Sequence, residues 1–224
     1  FTPAVAYRAA EIVGDPTATV AWTYPGATGD NLPAWGHSQT YRVRSRAVDF
    51  TGNVQTPEKE HIFTYDAEAP TTTVTSPFNG QYLTAFSSAT GPYDAPLPPM
   101  ESGITALQIA IREPLGNFWD GAAFSAYNAV NSWRPATVHT SSWTYLSPAL
   151  AAQLALPGSP RTYQTWMRGA DGAGNQNRLT GSAPSGPSVN FHVDRFPPVS
   201  VTTRPASAFL NGLVTPVAGT ADDQ

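Results

Sequence analysis

One stretch of the chain occurs twice, and that duplication limits the folds open to it more than any other feature. Thr40-Tyr-Arg-Val-Arg-Ser-Arg-Ala-Val-Asp-Phe-Thr-Gly-Asn53 returns as Thr162-Tyr-Gln-Thr-Trp-Met-Arg-Gly-Ala-Asp-Gly-Ala-Gly-Asn175, 122 positions later. Read at period two, Tyr41, Val43, Ser45 and Ala47 fall on one face and Arg42, Arg44 and Arg46 on the other, the pattern of a strand with one buried and one wet face. The Asp-x-x-Gly-Asn that follows is turn chemistry: the Asp side chain can bond the backbone ahead of it, and Gly-Asn tolerates positive φ. Asp49, Gly52 and Asn53, with Asp171, Gly174 and Asn175, are therefore assigned to structural turns and not to an active site.

The match extends outward in order. Trp22-Thr-Tyr24 aligns with Trp143-Thr-Tyr145, and Leu32-Pro33 lies in the same connecting region as Leu156-Pro157. Phe63-Thr-Tyr-Asp66 aligns with Phe191-His-Val-Asp194 at a displacement of 128, the extra residues falling in the Gly/Ser/Pro-rich loop Gly181–Pro187, where insertion costs little. Thr73-Val-Thr-Ser-Pro77 then aligns with Val201-Thr-Thr-Arg-Pro205, and Gly91-x-x-Asp94 with Gly219-x-x-Asp222. Matches in one order over so many segments define a tandem repeat of about 125 residues. Residues 70–197 form one complete repeat, residues 1–69 the later part of a preceding one and residues 198–224 the opening of a following one.

Within the complete repeat, strands are expected at Thr71–Thr75, Gln81–Ala85, Ile104–Arg112, near Ala123–Ser125, and at Ser142–Tyr145, Thr162–Ala170 and Val189–Val193. Gly91–Ser102, with its prolines, is expected to be loop. Twenty-two prolines leave little room for long helices, and only Asn128–Val130 and Pro148–Leu156 have helical character. Short strands split by Pro/Gly turns give an all-β fold, a β-sandwich.

These residues resemble bacterial immunoglobulin-like repeats. The resemblance rests on Tyr-x-Val-x-x-x-Ala-x-Asp-x-x-Gly-Asn, a last strand ending Phe-x-x-Asp-x-x-x-Pro, and a fresh Val-Thr-x-x-Pro opening. It covers nearly the whole chain and implies tandem Ig-like β-sandwich domains, one complete and two partial. It also implies a structural or spacer segment of an extracellular repeat protein: an adhesin, stalk or filament on a cell surface. The partners it implies are neighbouring repeats or other copies of the chain, with a glycan or host surface as the distal one. The opening Phe1-Thr-Pro, without an initiating Met, reads as part of something longer. Incomplete repeats at both ends are then completed either by covalent continuation or by head-to-tail assembly of copies.

Composition narrows the alternatives. Charged residues are only 12% of the chain, and a net charge of −4 with a single lysine, Lys59, argues against a nucleic-acid surface. No cysteine is present, which removes disulfides and thiolate metal sites. No apolar run reaches the roughly 18 residues of a membrane span. His37, His61, His139 and His192 show no metal-ligand spacing, and no nucleophile elbow or phosphate loop occurs, so no enzyme is expected.

Two ligand readings stay open. Calcium could stiffen the repeat junctions through Asp66, Glu68 and Asp194, although Asp194-Arg-Phe-Pro-Pro lacks a second acid. The simpler reading is an Asp that caps the turn before the prolines. Carbohydrate binding is the rival function: Trp119, Asp120 and Trp133 put aromatic rings and an acid close together, and exposed rings stack on sugars. Trp22 and Trp143, at equivalent positions, are expected in cores, whereas Trp35, Trp119, Trp133 and Trp166 are not clearly duplicated and are the better candidates for exposure; packing still outweighs binding, because large aromatics commonly fill sandwich ends.

Overall fold

The computed structural model describes residues 7–13, 19, 21–24, 32–94, 102–155, 161–177, 183–184, 186, 189–206, 211–212 and 216–222. The loop Gly181–Pro187, for the most part, and the pair Leu156-Pro157 lie outside the described residues. Regular structure is almost entirely strand. The first segment contributes β1 (Glu11–Val13), β2 (Ala21–Thr23), β3 (Gln39–Ser45) and β4 (Lys59–Tyr65), paired as two separate antiparallel hairpins.

Between Pro70 and Pro197 stand two sheets. The smaller has the order β12-β13-β7-β5, built from β5 (Thr71–Thr72), β7 (Ser88–Asp94), β12 (Thr137–Val138) and β13 (Ser142–Leu146). The larger runs β10-β9-β8-β14-β15-β6, with β11 (Arg134–Pro135) also paired to β8. Its members are β6 (Gln81–Leu83), β8 (Ile104–Arg112), β9 (Phe118–Trp119), β10 (Phe124–Ser125), β14 (Arg161–Asp171) and β15 (Val189–Val193). A final hairpin pairs β16 (Val199–Arg204) with β17 (Ala218–Asp222).

The two sheets close on one apolar core. Leu107, Ile109 and Ile111 of β8, Tyr163 and Met167 of β14, and Phe191 of β15 meet Ala89 of β7 and Trp143 and Tyr145 of β13. Alternation in Ile104–Arg112 puts the branched residues on that face, as period two requires. Ala110 of β8 and Trp166 of β14 point the other way, where Phe118 and Trp133 cover them with Tyr127 against the cluster. The larger sheet is thus buried on both sides, which explains why β14 is buried almost continuously from Tyr163 to Asp171.

A short helix, α1 (Pro148–Leu154), closes one end. Ser147 caps it by accepting a bond from Leu150 N, Pro148 fits where no intrahelical N–H partner is needed, and Leu150 and Leu154 enter the core. Asn128–Val130 forms a turn, in which Asn128 Oδ1 accepts from Val130 N and Asn131 N at 2.9 Å each.

The segment expected to be loop from Gly91 onward is instead strand as far as Asp94; residues 95–101 lie outside the described residues. Gly-Pro-Tyr-Asp reads as a breaker sequence, but here the glycine serves a close approach. A Cβ on Gly91 would lie 1.9 Å from Thr73 O and 3.2 Å from Trp143 Cζ2.

The strand registers recur at the displacements found in the sequence. Tyr41 opposes Phe63 as Tyr163 opposes Phe191, and the rings of the two pairs stack at 5.7 and 5.5 Å. Thr71 opposes Asp94 as Val199 opposes Asp222. The isolated bridge Val48–Val54 recurs as Ala170–Gln176.

Candidate functional site

The polar residues that come together lie where the first segment meets the sandwich. Asp66 follows β4 directly and is buried. Its Oδ2 accepts the Ser102 N–H at 2.9 Å and the Ser102 hydroxyl at 2.6 Å, and its Oδ1 accepts the Glu68 N–H at 3.2 Å. The Asp66 carbonyl accepts Asn175 Nδ2 at 3.2 Å. Ser102 Oγ in turn takes the Ala173 N–H at 3.0 Å, and Gly172 N donates to Gly103 O at 3.0 Å. Asp66 therefore ties the end of β4 to the entrance of β8 through its carboxylate and to the turn after β14 through its backbone carbonyl.

That turn is an Asp-x-x-Gly-Asn copy. Asp171 Oδ1 accepts from Ala173 N and Asn175 N at 3.0 and 2.8 Å, and its Oδ2 from Asn175 Nδ2 at 2.9 Å; Gly174 has φ +93°. In the first copy Asp49 accepts from Thr51 N, Asn53 N and Asn53 Nδ2 at 2.9, 2.8 and 2.7 Å, and Gly52 has φ +90°. The Asn53 side chain, followed by the Asn53 backbone and Thr51, holds the Asp49 carboxyl down at about 2. The copies differ around the second residue after the Asp: the Thr51 hydroxyl donates to Asp49 Oδ1 at 2.8 Å, a bond Ala173 cannot make, while Ala173 N also reaches Ser102 Oγ. Asn53 Nδ2 gives its second hydrogen to Thr51 Oγ1 at 2.9 Å, whereas Asn175, with Ala at position 173, gives it to Asp66 O.

Electrostatics at the joint are balanced by donors. Burial pushes the Asp66 carboxyl up, but the bonds from Ser102 and Glu68 and the nearby His37 together bring it below its ordinary value. His37 lies between the two acids: Nδ1 is 3.5 Å from Asp66 Oδ1 and Nε2 is 3.6 Å from Glu68 Oε2. Ala67 N donates to the same Nδ1 at 3.2 Å.

This donor set does not fit a calcium ion. The Asp66 oxygens face N–H and O–H hydrogens, which a cation would have to displace, and the Glu68 side chain is exposed. Asp194 stands apart after β15, its Oδ1 accepting the Phe196 N–H at 2.9 Å. Among the described residues no group of three His, Cys, Asp or Glu side chains is placed to share a metal.

The aromatic candidates are corrected. Trp119 is 0% and Trp133 2% exposed, and Trp166 is buried with them, so no face of these rings is open to a sugar. Trp119 Nε1 donates to Tyr145 OH at 2.9 Å; Arg168 lies over the Trp133 ring, 4.5 Å from its centroid. Asp120 forms the β9–β10 turn, its Oδ1 accepting from Ala122 N and Ala123 N at 2.9 and 2.8 Å. The Trp119–Trp133 stretch is longer than a hairpin needs because it covers the outer face of the larger sheet. The expectation for Trp22 also fails: it is 52% exposed, whereas Trp143 is 0% exposed. In the first segment, nothing described occupies the place that β7 takes beside β13.

Ser102 and His37 carried no signal for the joint in the sequence, because Ser102 meets Asp66 from the other segment and His37 meets it from beside the start of β3. No helix among the described residues is long and apolar enough to cross a membrane. No protein-family model matches the chain, and no relative is found among the curated proteins.

Proposed function

We propose that the chain is a spacer segment of an extracellular bacterial repeat protein, an adhesin, stalk or filament built from tandem Ig-like β-sandwich domains. Its function is to hold consecutive domains in series at a fixed relation. The observation that carries this reading is the Asp66 joint, in which the end of one unit is bonded to both the Ser102 entrance and the Asn175 turn of the next. The recurrence of strand registers supports the tandem arrangement, because a rod of like units needs like joints. A carbohydrate-binding module is left without its reading residues, since Trp119 and Trp133 are packed inside.

Small-angle X-ray scattering of the parent chain and of a Ser102→Ala/Asn175→Ala double variant tests the proposal. The parent should fit one rigid arrangement of first segment and sandwich, and the variant should require an ensemble of broader maximum dimension. Equal flexibility in both would remove the joint, and with it the spacer reading. Protease shaving of intact producing cells tests the surface location separately.

A further inference from the structure

The four-stranded sheet of the sandwich shows what covers a strand like β2. There β7 lies along β13, pairing Trp143 with Gly91, Thr144 with Thr90 and Tyr145 with Ala89. The Trp143 indole reaches over Gly91 and donates to Thr73 O at 3.1 Å. Gly91 is required by that overlap: a side chain there would collide with the Thr73 carbonyl.

Both halves of this arrangement occur a second time, and the second time they are apart. Trp22 and Thr23 of β2 correspond to Trp143 and Thr144, and β1 flanks β2 with Ile12 opposite Trp22 as β12 flanks β13 with Val138 opposite Trp143. Hairpin β16–β17 corresponds to β5–β7: Ser200 opposes Ala221 as Thr72 opposes Tyr93, and Arg204 opposes Ala218 as Ser76 opposes Thr90. Gly219 stands in the place of Gly91, with Val201 O 2.4 Å from where its Cβ would be, as Thr73 O is from Gly91 at 1.9 Å. Each half pairs on one side alone among the described residues, β1–β2 and β16–β17 both being two-stranded. Each half also exposes apolar surface: Trp22 and Ile12 on one, Val199 and Val201 on the other.

We propose that β2 and the β16–β17 hairpin are the two sides of one self-association surface, and that the occupant of each is the other in a second copy of this chain. In the complex β17 lies antiparallel along β2, giving the order β1-β2-β17-β16 across two chains. The Trp22 indole passes over Gly219 and donates to Val201 O. The contact joins unlike surfaces, so it repeats head to tail. It is confined to this sheet; β3 and β4 remain a two-stranded ribbon, whose inner face (Tyr41, Val43, Phe63) the docked hairpin would overlie as β7 overlies Tyr163 and Phe191. This inference rests on the repeat reading above and adds to it the partner and the register.

The absence of cysteine makes a clean test possible. In the sandwich, Thr90 commits its N–H to Ser76 O and its carbonyl to Thr75 N, so toward Thr144 it is a non-hydrogen-bonded pair, with Cα atoms about 4.5 Å apart, within disulfide reach. The equivalent contact between copies is Thr23 with Ala218. Single variants Thr23→Cys and Ala218→Cys, mixed and oxidised, should give chiefly the mixed dimer over either homodimer. The parent's weight-average mass by sedimentation should rise with concentration. Trp22→Ala should abolish that rise, and Phe50→Ser, at an exposed site outside the contact, should not. A single-chain mass at all concentrations, or random crosslinking, overturns the proposal. Thr90→Cys/Thr144→Cys in one chain is the control. If its internal disulfide forms while the mixed one does not, self-association fails and the tandem reading stands; if the internal one fails, the template is wrong and both fall.

Discussion

Ser102 gives both of its donors to one oxygen of Asp66, the N–H at 2.9 Å and the hydroxyl at 2.6 Å. The same hydroxyl oxygen accepts the Ala173 N–H, so a single Oγ links the segment after β4 to the turn after β14. Ser102→Ala removes two of these bonds at once and leaves a buried carboxylate short of a donor, a loss of about 1–3 kcal/mol. Chemical denaturation should show that loss, and limited proteolysis should show earlier cleavage between Asp66 and Pro70. Ser102→Thr keeps the hydroxyl and should restore most of the stability. If Ala and Thr behave alike, the hydroxyl is not what holds the joint.

Acid should open the joint and the turns in a defined window. The carboxyls of Asp66 and Asp49 both lie below their ordinary value of 3.8, Asp49 at about 2. A carboxyl depressed by folding stabilises the folded chain above its unfolded value, and that contribution disappears as pH falls through the folded value. Thermal stability due to these groups should therefore hold from neutrality to about pH 4 and fall from there toward pH 2. Asp66→Asn should reduce the size of the fall. A loss complete before pH 5 would assign acid sensitivity to the histidines instead.

Chelation offers a contrast. Because hydrogen-bond donors satisfy Asp66, excess EDTA should leave the melting temperature where it was. A drop of several degrees, reversed by added calcium, would return Asp66 and Glu68 to the role of ligands.

What the sequence made legible was whatever depends on local pattern. Ile104–Arg112 and Val189–Val193 are strands over those residues because period-two alternation and β-branched content need no partner to be recognised. The Asp-x-x-Gly-Asn turns close through bonds within five residues, which their spelling already contains. By contrast, β7 was hidden because Gly91 and Pro92 weaken a strand locally, and only Thr73 and Trp143, distant in sequence, give the glycine its use. The burial of Trp119, Trp133 and Trp166 had no local signal: Trp119 enters the core between the two sheets, while Trp133 and Trp166 pack on the other face of the larger sheet. Its second face is buried by the 127–133 segment, a tertiary arrangement without periodicity. The Asp66–Ser102 pair was hidden for the same reason, being 36 residues apart.

Trp22 and Trp143, which align in the sequence, should behave unequally. Trp143 is enclosed, and its indole N–H satisfies Thr73 O, so Trp143→Ala leaves both a cavity and an unpaired carbonyl and should cost about 3–5 kcal/mol. Trp22 is half exposed, and Trp22→Ala in the dilute chain should change stability by no more than about 0.5 kcal/mol. Urea unfolding of the two variants side by side measures the difference. Similar losses would mean that Trp22 is covered in solution even when dilute.

Gly91 offers the sharpest test of the sheet, because what crowds it is backbone. A methyl group there would sit 1.9 Å from Thr73 O, 2.9 Å from its carbonyl carbon and 3.2 Å from the Trp143 ring. A side chain could swing aside, but the Thr73 carbonyl is fixed by its own bond from Trp143, and Thr73 N bonds Pro92 O at 3.3 Å. Making room means parting β5 from β7 and withdrawing the indole. Gly91→Ala should therefore cost at least about 2–3 kcal/mol, the upper range for overpacking. Gly212→Ala is the control, since its Cβ would meet nothing within 4 Å, and it should stay within about 0.5 kcal/mol of the parent. Near-ultraviolet circular dichroism should show the Trp143 environment disturbed in the first variant alone. A folded, fully stable Gly91→Ala chain would mean that β7 does not lie against Thr73 and Trp143, and the template for docking β17 on β2 would go with it.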